Sequence, residues 1–196
     1  MGFLVLALGM ACSQPEDDGR LLERACVSAK ALWMGWDGDL DLKNGPGVEL
    51  SLRIGPTTLR EDERGTLSSE GAFPRAFWQW SIGAGVRYIH FVSEDTGRTG
   101  SARGLFIPFG PEYVTPGGLG VGATLSVGVT YFDENGARRK LGQCYTISFP
   151  ELNWRIGTSV KVTAAPLLEL DKTGLHDDHQ RWVRSVAATV SVGFEF

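Results

Sequence analysis

The sequence alternates between apolar residues and small or polar residues over stretches that are long for a globular protein. In the clearest stretch, LGVGATLSVGVTY (residues 119–131), Leu, Val, Ala and Tyr occupy the odd positions, and Gly, Ser and Thr occupy the even ones. Successive side chains of a β-strand point to opposite faces of its sheet. Globular strands usually have about 5–6 residues, whereas a tilted strand that crosses a bilayer needs about 9–11. The pattern therefore predicts long β-strands, each with one apolar face.

The same alternation recurs along the chain and predicts eight strands. They cover residues 31–42, 47–55, 76–91, 102–110, 118–132, 137–149, 153–168 and 182–196. The sequences KNGPG and DENG are typical hairpin turns, and PEL after Phe149 is expected to form a tight turn. Residues 14–30 differ, because Asp18 is placed to cap a short amphipathic helix. We predict an all-β, antiparallel up-and-down barrel over 31–196, preceded by a short helical or irregular segment over 12–30.

Composition excludes several classes of protein. The 196-residue chain has a net charge of −4, so it presents no large basic field for nucleic acid. It contains no run of 18 or more apolar residues, which excludes an ordinary transmembrane helix but not a transmembrane barrel. The sequence GGLGVG superficially resembles a phosphate-binding loop, but it opens a strand rather than a helix. No cofactor is predicted.

The start of the chain predicts export. Residues 3–11 form a short apolar core ending in the small-residue sequence GMA, similar to a secretory signal peptide, although no Lys or Arg precedes the core. We expect residues 1–11 to be this segment. Cys12 follows directly and allows lipidation, although Gly9 stands where a lipobox has a leucine-like residue. Of the remaining cysteines, Cys26 and Cys144 either pair or stay free.

The alternation fits both a soluble barrel with an apolar core and a membrane barrel with an apolar exterior. The polar face is small and uncharged near the strand centres, as the crowded lumen of a small barrel requires. A face exposed to water would carry more Lys, Glu and Arg. The charged residues on this face are expected to pair inside the lumen. They are Asp37, Asp39, Asp41, Glu49, Arg53, Arg87, Arg155, Lys161 and Glu195.

Aromatic residues cluster at the ends of the predicted strands, as the two interfaces of a bilayer require. If the first strand starts in the periplasm, one girdle lies at the periplasmic interface. Its members are Trp33, Trp36, Phe77, Trp78, Trp80, Phe149, Trp154, Phe194 and Phe196. The members of the outer girdle are Tyr88, Phe91, Tyr131, Phe132 and Trp182.

The chain ends on an aromatic residue within a strand pattern, TVSVGFEF. Val190, Val192, Phe194 and Phe196 occupy every second position of this strand. The ending resembles the β-signal of bacterial outer-membrane proteins, which the barrel-assembly machinery recognises. The resemblance implies a transmembrane barrel in the outer membrane of a Gram-negative cell envelope, in contact with outer-membrane lipid and with that machinery.

An eight-stranded barrel can be filled by side chains, which argues against a general porin. We expect a structural or surface-binding barrel, or a subunit of an envelope complex, whose surface loops are available to protein partners. The alternatives are an outer-leaflet deacylase or acyltransferase, a small channel, and a soluble exported barrel that binds an apolar ligand. The enzyme would need a His–Ser–acid set, for which His90, Ser93 and Glu94 are the local candidates.

One polar loop has the residue types of a metal site. It contains His176, Asp177, Asp178 and His179. A solvated acidic loop explains the same residues, and no metal is predicted there.

Overall fold

The computed structural model describes residues 21–37, 42–60, 73, 75–94, 97–134, 140–157, 159–173 and 181–196. Within these residues the chain forms nine β-strands. They are β1 Leu21–Asp37, β2 Leu42–Lys43, β3 Gly45–Arg60, β4 Phe77–Ser93, β5 Thr99–Val114, β6 Leu119–Glu134, β7 Lys140–Ile156, β8 Val160–Thr173 and β9 Arg181–Glu195. No helix in this part of the chain is long and apolar enough to span a membrane.

The eight long strands form a closed barrel. Each pairs antiparallel with the long strands before and after it in sequence, and β1 also pairs with β9. The short β2 adds two residue pairs to β4. Closure leaves both sides of every long strand paired, which removes the exposed edges of an open sheet. The predicted antiparallel up-and-down barrel of eight strands is confirmed.

The two ends of the barrel carry different strand connections. We call the end where β1 begins and β9 stops the terminal end, and the opposite one the far end. Residues 61–76, 115–118 and 157–159 connect strands at the terminal end, and the remaining connections lie at the far end. The long connection expected near 55–75 is therefore real, although β3 continues through Arg60 before it starts.

The barrel begins earlier than predicted. Residues 21–30 belong to β1 and are not the helical or irregular segment expected before residue 31. Arg24 and Lys30 point into the lumen, where Glu195 and Glu49 lie 3.0 Å from them. Val27 and Ala29 face outward. The alternation was missed because the lumen face of this part of β1 carries charges in place of small residues.

The division between β7 and β8 also differs from the prediction. The residues Pro150, Glu151 and Leu152, expected to form a turn, lie inside β7. The pairing register with β8 shifts between Ser148 and Leu152, so a bulge accommodates the proline, which cannot donate to the ladder. The turn is instead at 157–159, where Gly157 has a φ of 65°. The strand predicted over 153–168 therefore contains this turn.

Side chains alternate between the lumen and the outer surface. On β3, β4 and β6, the predicted apolar set faces outward and the predicted small or polar set faces inward. For example, Leu50 and Leu52 are about half exposed, whereas Glu49 and Ser51 are buried. The outer surface is thus apolar over the length of these strands.

The sequence ALWMGWDGDLDL (residues 31–42) predicts an apolar outer face that contains Leu32, Met34 and Trp36, and the faces observed on β1 are the opposite. Leu32 and Met34, expected on the outer face, are buried in the lumen, while Trp33 is 55% exposed on the outer surface. The reason is that the lumen is apolar at the far end, where these residues pack against Ile89 and Leu167. An apolar residue on a strand of this barrel does not by itself mark the outer face.

The predicted aromatic girdles are wrong in part. Trp33 and Trp36 lie at the far end, because β1 starts at Leu21 and ends there. Phe77, Phe91 and Phe132 are buried inside the lumen. The outward aromatics that do lie toward the terminal end are Trp78, Trp80, Tyr113, Phe149, Trp154, Phe194 and Phe196. The side chain of Trp182 lies outside the described residues.

Candidate functional site

Side chains fill the lumen in layers. An apolar cluster closes the terminal end and consists of Leu59, Phe73, Phe77 and Val114. A larger apolar cluster closes the far end and consists of Leu32, Met34, Ile89, Phe91, Ala102, Phe132, Leu167 and Ala187, with Trp36 packed against it. Between the two lie two ionic clusters, separated by buried Ser and Thr side chains. The interior is therefore most apolar at its two mouths.

Arg155 is the centre of the terminal-end ionic cluster. Its guanidinium donates from Nε to Glu195 Oε2 at 2.8 Å and from Nη2 to Glu195 Oε1 at 2.9 Å. It also donates from Nη1 to Glu112 Oε1 at 2.6 Å and from Nη2 to Glu112 Oε2 at 3.1 Å. Both carboxylates are thus held in two-pronged contacts, which are among the stronger charge-assisted hydrogen bonds.

Two further cations complete this cluster. Lys161 Nζ donates to Glu112 Oε2 at 2.6 Å, and Arg24 Nη2 lies 3.0 Å from Glu195 Oε2. Phe73, from the connection between β3 and β4, covers the cluster, with its ring centroid 5.5 Å from the Arg24 guanidinium and 6.0 Å from that of Arg155. The Phe73 N–H donates to the Pro116 carbonyl at 2.8 Å. This connection therefore supplies part of the closure of the terminal end.

Arg87 is the centre of the far-end ionic cluster. It donates to Glu49 Oε2 from Nε at 3.0 Å and from Nη2 at 2.7 Å, and its Nη1 contacts Glu169. Lys30 Nζ lies 3.0 Å from Glu49 Oε1. The guanidinium also lies 5.1 Å from the centre of the Phe106 ring. The cluster joins β1, β3, β4 and β8 across the lumen.

Glycine makes room for these large side chains. A Cβ at Gly85 would lie 2.3 Å from a ring carbon of Phe106, and one at Gly120 would lie 2.7 Å from Glu112 Oε1. Both distances are far below ordinary van der Waals contact. The small residues that the sequence places on the lumen face are therefore the space into which the aromatic and charged side chains fit.

The structure places six of the predicted lumen charges inside the barrel. They are Glu49, Arg53, Arg87, Arg155, Lys161 and Glu195. Arg53 donates to Thr124 Oγ1 at 2.8 Å and lies 3.9 Å from Glu151. Their expected partners Asp39 and Asp41, and the side chain of Asp37, lie outside the described residues.

The partners observed are residues that the sequence reasoning missed. They are Arg24, Lys30, Glu112, Glu151 and Glu169. Glu112 and Glu169 each sit between outward-facing residues, so the two-residue alternation was present around them. On β5, Pro108 interrupts the pattern, and the predicted strand ended at residue 110, before Glu112. On β7 and β8, the turn was predicted at Pro150–Leu152 instead of 157–159, and the predicted strand ended at residue 168, before Glu169.

The candidate catalytic residues are not brought together. Ser93 is 1% exposed and faces the lumen, whereas His90 lies on the other face of β4 by the alternation of that strand. Glu94 is exposed in the turn that follows. A Ser–His hydrogen bond is needed for nucleophilic catalysis of this type, and this arrangement does not provide one. The metal candidates His176, Asp177, Asp178 and His179 lie outside the described residues.

The terminal strand closes the barrel. Val190, Val192, Phe194 and Phe196 all face outward and are exposed. The Phe196 N–H donates to the Ala25 carbonyl at 2.8 Å, and the Ala25 N–H donates back at 3.2 Å. The last residue of the chain is thus hydrogen-bonded at the seam between β9 and β1.

Cys26 and Cys144 are both free, so the disulfide alternative is wrong. Cys26 pairs across the sheet with Glu195 at the terminal end, whereas Cys144 pairs with Asp171 toward the far end. The two thiols are therefore separated along the barrel. Cys12 lies outside the described residues.

Comparisons with known proteins bear on the fold. No protein-family model matches the chain, and no curated protein matches it. Among solved structures, Neisserial surface protein A (NspA) matches with a TM-score of 0.51 and 13% identity, over 88% of this chain and 97% of that one. Ail, the attachment invasion locus protein of Yersinia pestis, has a TM-score of 0.46 and 17% identity, over 90% of this chain and 100% of that one.

At these identities the likeness concerns the fold alone. The likeness to NspA agrees with the closed eight-stranded barrel described above. The chain has the fold of the small eight-stranded β-barrels of bacterial outer membranes.

Proposed function

We propose that this chain is a bacterial outer-membrane protein whose filled barrel serves as a structural or surface-binding element, or as a subunit of an envelope complex. The observation that carries the proposal is the inside-out distribution of side chains. Ion pairs centred on Arg87 and Arg155 are buried, while Leu, Val, Ile and Trp residues cover the exterior. Such an apolar exterior is stable in contact with lipid and unfavourable in contact with water.

The strand lengths and the exposed apolar area favour this proposal over a soluble barrel. The long strands have between 14 and 17 residues, more than the 9–11 or so that a tilted strand needs to cross a bilayer. Soluble monomers rarely expose contiguous apolar patches above a few hundred Å². A soluble carrier of an apolar ligand would also need an apolar interior, and the middle of this lumen is ionic and polar.

The filled lumen favours a binding or structural role over conduction. Both mouths are closed by apolar clusters, and the two guanidinium groups bridge carboxylates from different strands. We expect purified protein to show no steady conductance in planar bilayers. Regular single-channel steps would instead support the small-channel alternative.

The outer face of β9 supplies the features by which the barrel-assembly machinery would recognise the chain. Phe194 and Phe196 are exposed there, beside the pairing of β9 with β1. Contacts with outer-membrane lipid would involve the whole apolar exterior. Protein partners would bind at the far-end connections, which lie on the opposite side of the membrane from the termini. We assign no catalytic role, because His90 and Ser93 lie on opposite faces of β4.

Membrane fractionation combined with gel migration tests the proposal. We expect the protein in the outer-membrane fraction, extracted only by detergent, with different migration before and after boiling. Recovery in the soluble periplasmic fraction, without a heat-dependent shift, would support the soluble alternative.

A further inference from the structure

The side of the far-end ionic cluster nearest β7 and β8 contains three buried groups that could ligate a metal. Cys144 offers its Sγ, and Glu169 and Asp171 each offer a carboxylate oxygen, and these three atoms all lie within 4.8 Å of one another. Cys144 and Asp171 are directly opposite in the β7–β8 ladder. Glu169 is two residues before Asp171 on β8 and faces the lumen as well.

Asp171 is the unusual member of this group. It is 0% exposed, and neither of its carboxylate oxygens has a hydrogen-bond partner of good geometry among the residues that the structure describes. The hydroxyl of Thr130 and the thiol of Cys144 are its polar neighbours. A buried carboxylate without a compensating partner costs several kcal/mol. The other carboxylates of the cluster, Glu49 and Glu169, contact Lys30 or Arg87.

A second residue nearby also has an oxygen atom without a partner among the described residues. Ser185 is 0% exposed, and its Oγ makes no hydrogen bond within the described structure. It lies opposite Glu169 in the β8–β9 ladder. A cavity of about 10 Å³, the size of one water molecule, adjoins Cys144 and Glu169. Arg87 and Thr130 are its other polar lining residues, and Ile89, Ala102, Gly104, Leu105, Phe106 and Val129 form the rest of its wall. Within the described residues, these unpartnered oxygens are free to ligate a cation beside the Cys144 thiol.

We propose that Cys144, Glu169 and Asp171 bind a divalent transition-metal ion of the zinc type inside the barrel. Zinc is four-coordinate in most protein sites and accepts Cys sulfur together with Asp or Glu oxygen. The cavity water or Ser185 would supply the fourth ligand. A thiolate is a poor ligand for Ca²⁺ or Mg²⁺, which take oxygen ligands.

The charges of the cluster favour a divalent ion. Lys30 and Arg87 balance Glu49 and Glu169, which leaves the negative charge of Asp171. Deprotonation of Cys144 on metal binding adds a second negative charge, and one divalent cation balances both. A proton retained on Asp171, with Cys144 as a thiol, is the competing arrangement.

The ion would have a structural role. All three proposed ligands are buried inside the barrel. A bound ion would cross-link β7 and β8 and would be acquired during folding. This inference goes beyond the proposed function and does not depend on a surface ligand.

The test uses the full chain with Cys12→Ala and Cys26→Ala, in which Cys144 is the only thiol. The protein is folded in detergent with Zn²⁺ or Co²⁺, freed of loose metal by dialysis, and checked for folding by heat-dependent gel migration. We expect one zinc retained per chain by metal analysis, and a thiolate-to-cobalt charge-transfer absorption with Co²⁺. This absorption distinguishes Cys144 from a site at the histidine-containing loop.

Asp171→Asn and Cys144→Ser in the same background are the informative variants, and Ser148→Ala on β7 is the matched control. We expect the two variants to lose the absorption and the control to keep it. The proposal is overturned if the folded background protein shows no thiolate absorption, or if Asp171→Asn retains it. Should the variants not fold, the presence or absence of the band in the background protein decides.

Discussion

Replacing Arg155 by Met should destabilise the barrel by about 3 kcal/mol. The substitution keeps the length of the aliphatic stem but removes the guanidinium that bridges Glu112 and Glu195. Removing one partner of a buried ion pair costs about 3–5 kcal/mol, because a charge is left in a medium of low dielectric constant. In the variant, Glu112 keeps Lys161 at 2.6 Å and Glu195 keeps Arg24 at 3.0 Å. The expected loss of stability is therefore at the lower end of this range.

Arg53→Met is the matched control for this prediction. Arg53 also faces the lumen, but it lies 3.9 Å from Glu151, and among the described residues its guanidinium donates one hydrogen bond, to the neutral Thr124 Oγ1. We expect a loss of about 1 kcal/mol. Both variants would be compared with the unsubstituted chain by urea unfolding in detergent micelles or lipid vesicles, followed by tryptophan fluorescence and gel migration. Equal losses for the two variants, or an unchanged midpoint for Arg155→Met, would refute the ionic account of the lumen.

Two other predictions concern the outer surface. Deleting Phe196, or appending a charged tail, should strongly reduce the amount of folded protein in the membrane, because Phe196 is hydrogen-bonded to Ala25 where β9 meets β1. Normal membrane levels would show that the resemblance of TVSVGFEF to a β-signal is chance. Leu52→Arg, in the middle of β3, should lower the unfolding free energy in vesicles by about 2–4 kcal/mol. Val48→Arg, level with Tyr88 nearer the far end, should lower it by less; equal effects would contradict the proposed position of the bilayer.

Strand number and, for most strands, the outward face could be predicted from the sequence alone. On β3, β4 and β6, the period of two places the predicted apolar set outward, although Phe77, Phe91 and Phe132, expected in the girdles, lie in the lumen. The prediction failed on β1, where the lumen face changes from charged at Arg24 and Lys30 to apolar at Met34. It also failed around Pro150, where a bulge preserved the strand that a proline was expected to end.

The partners of the lumen charges could not be predicted in the same way. Arg155 and Glu112 are 43 residues apart, and Arg87 and Glu169 are 82 apart. Their contacts depend on which strands lie across the lumen from one another after closure. Local alternation indicates which face of a strand a residue occupies, but not which strands lie opposite one another across the lumen.

The sequence by itself determined that this protein is made of long strands with one apolar face, since the alternation of side chains is a local property of the extended backbone. Only the tertiary structure decided which residues fill the interior and in what order. Closing eight strands around a narrow lumen brings Arg155 between two carboxylates and Phe73 over them. It also leaves Asp171 beside Cys144, with no hydrogen-bond partner of good geometry in the described part of the chain. These contacts arise from strand register and barrel closure, which are properties of the whole chain.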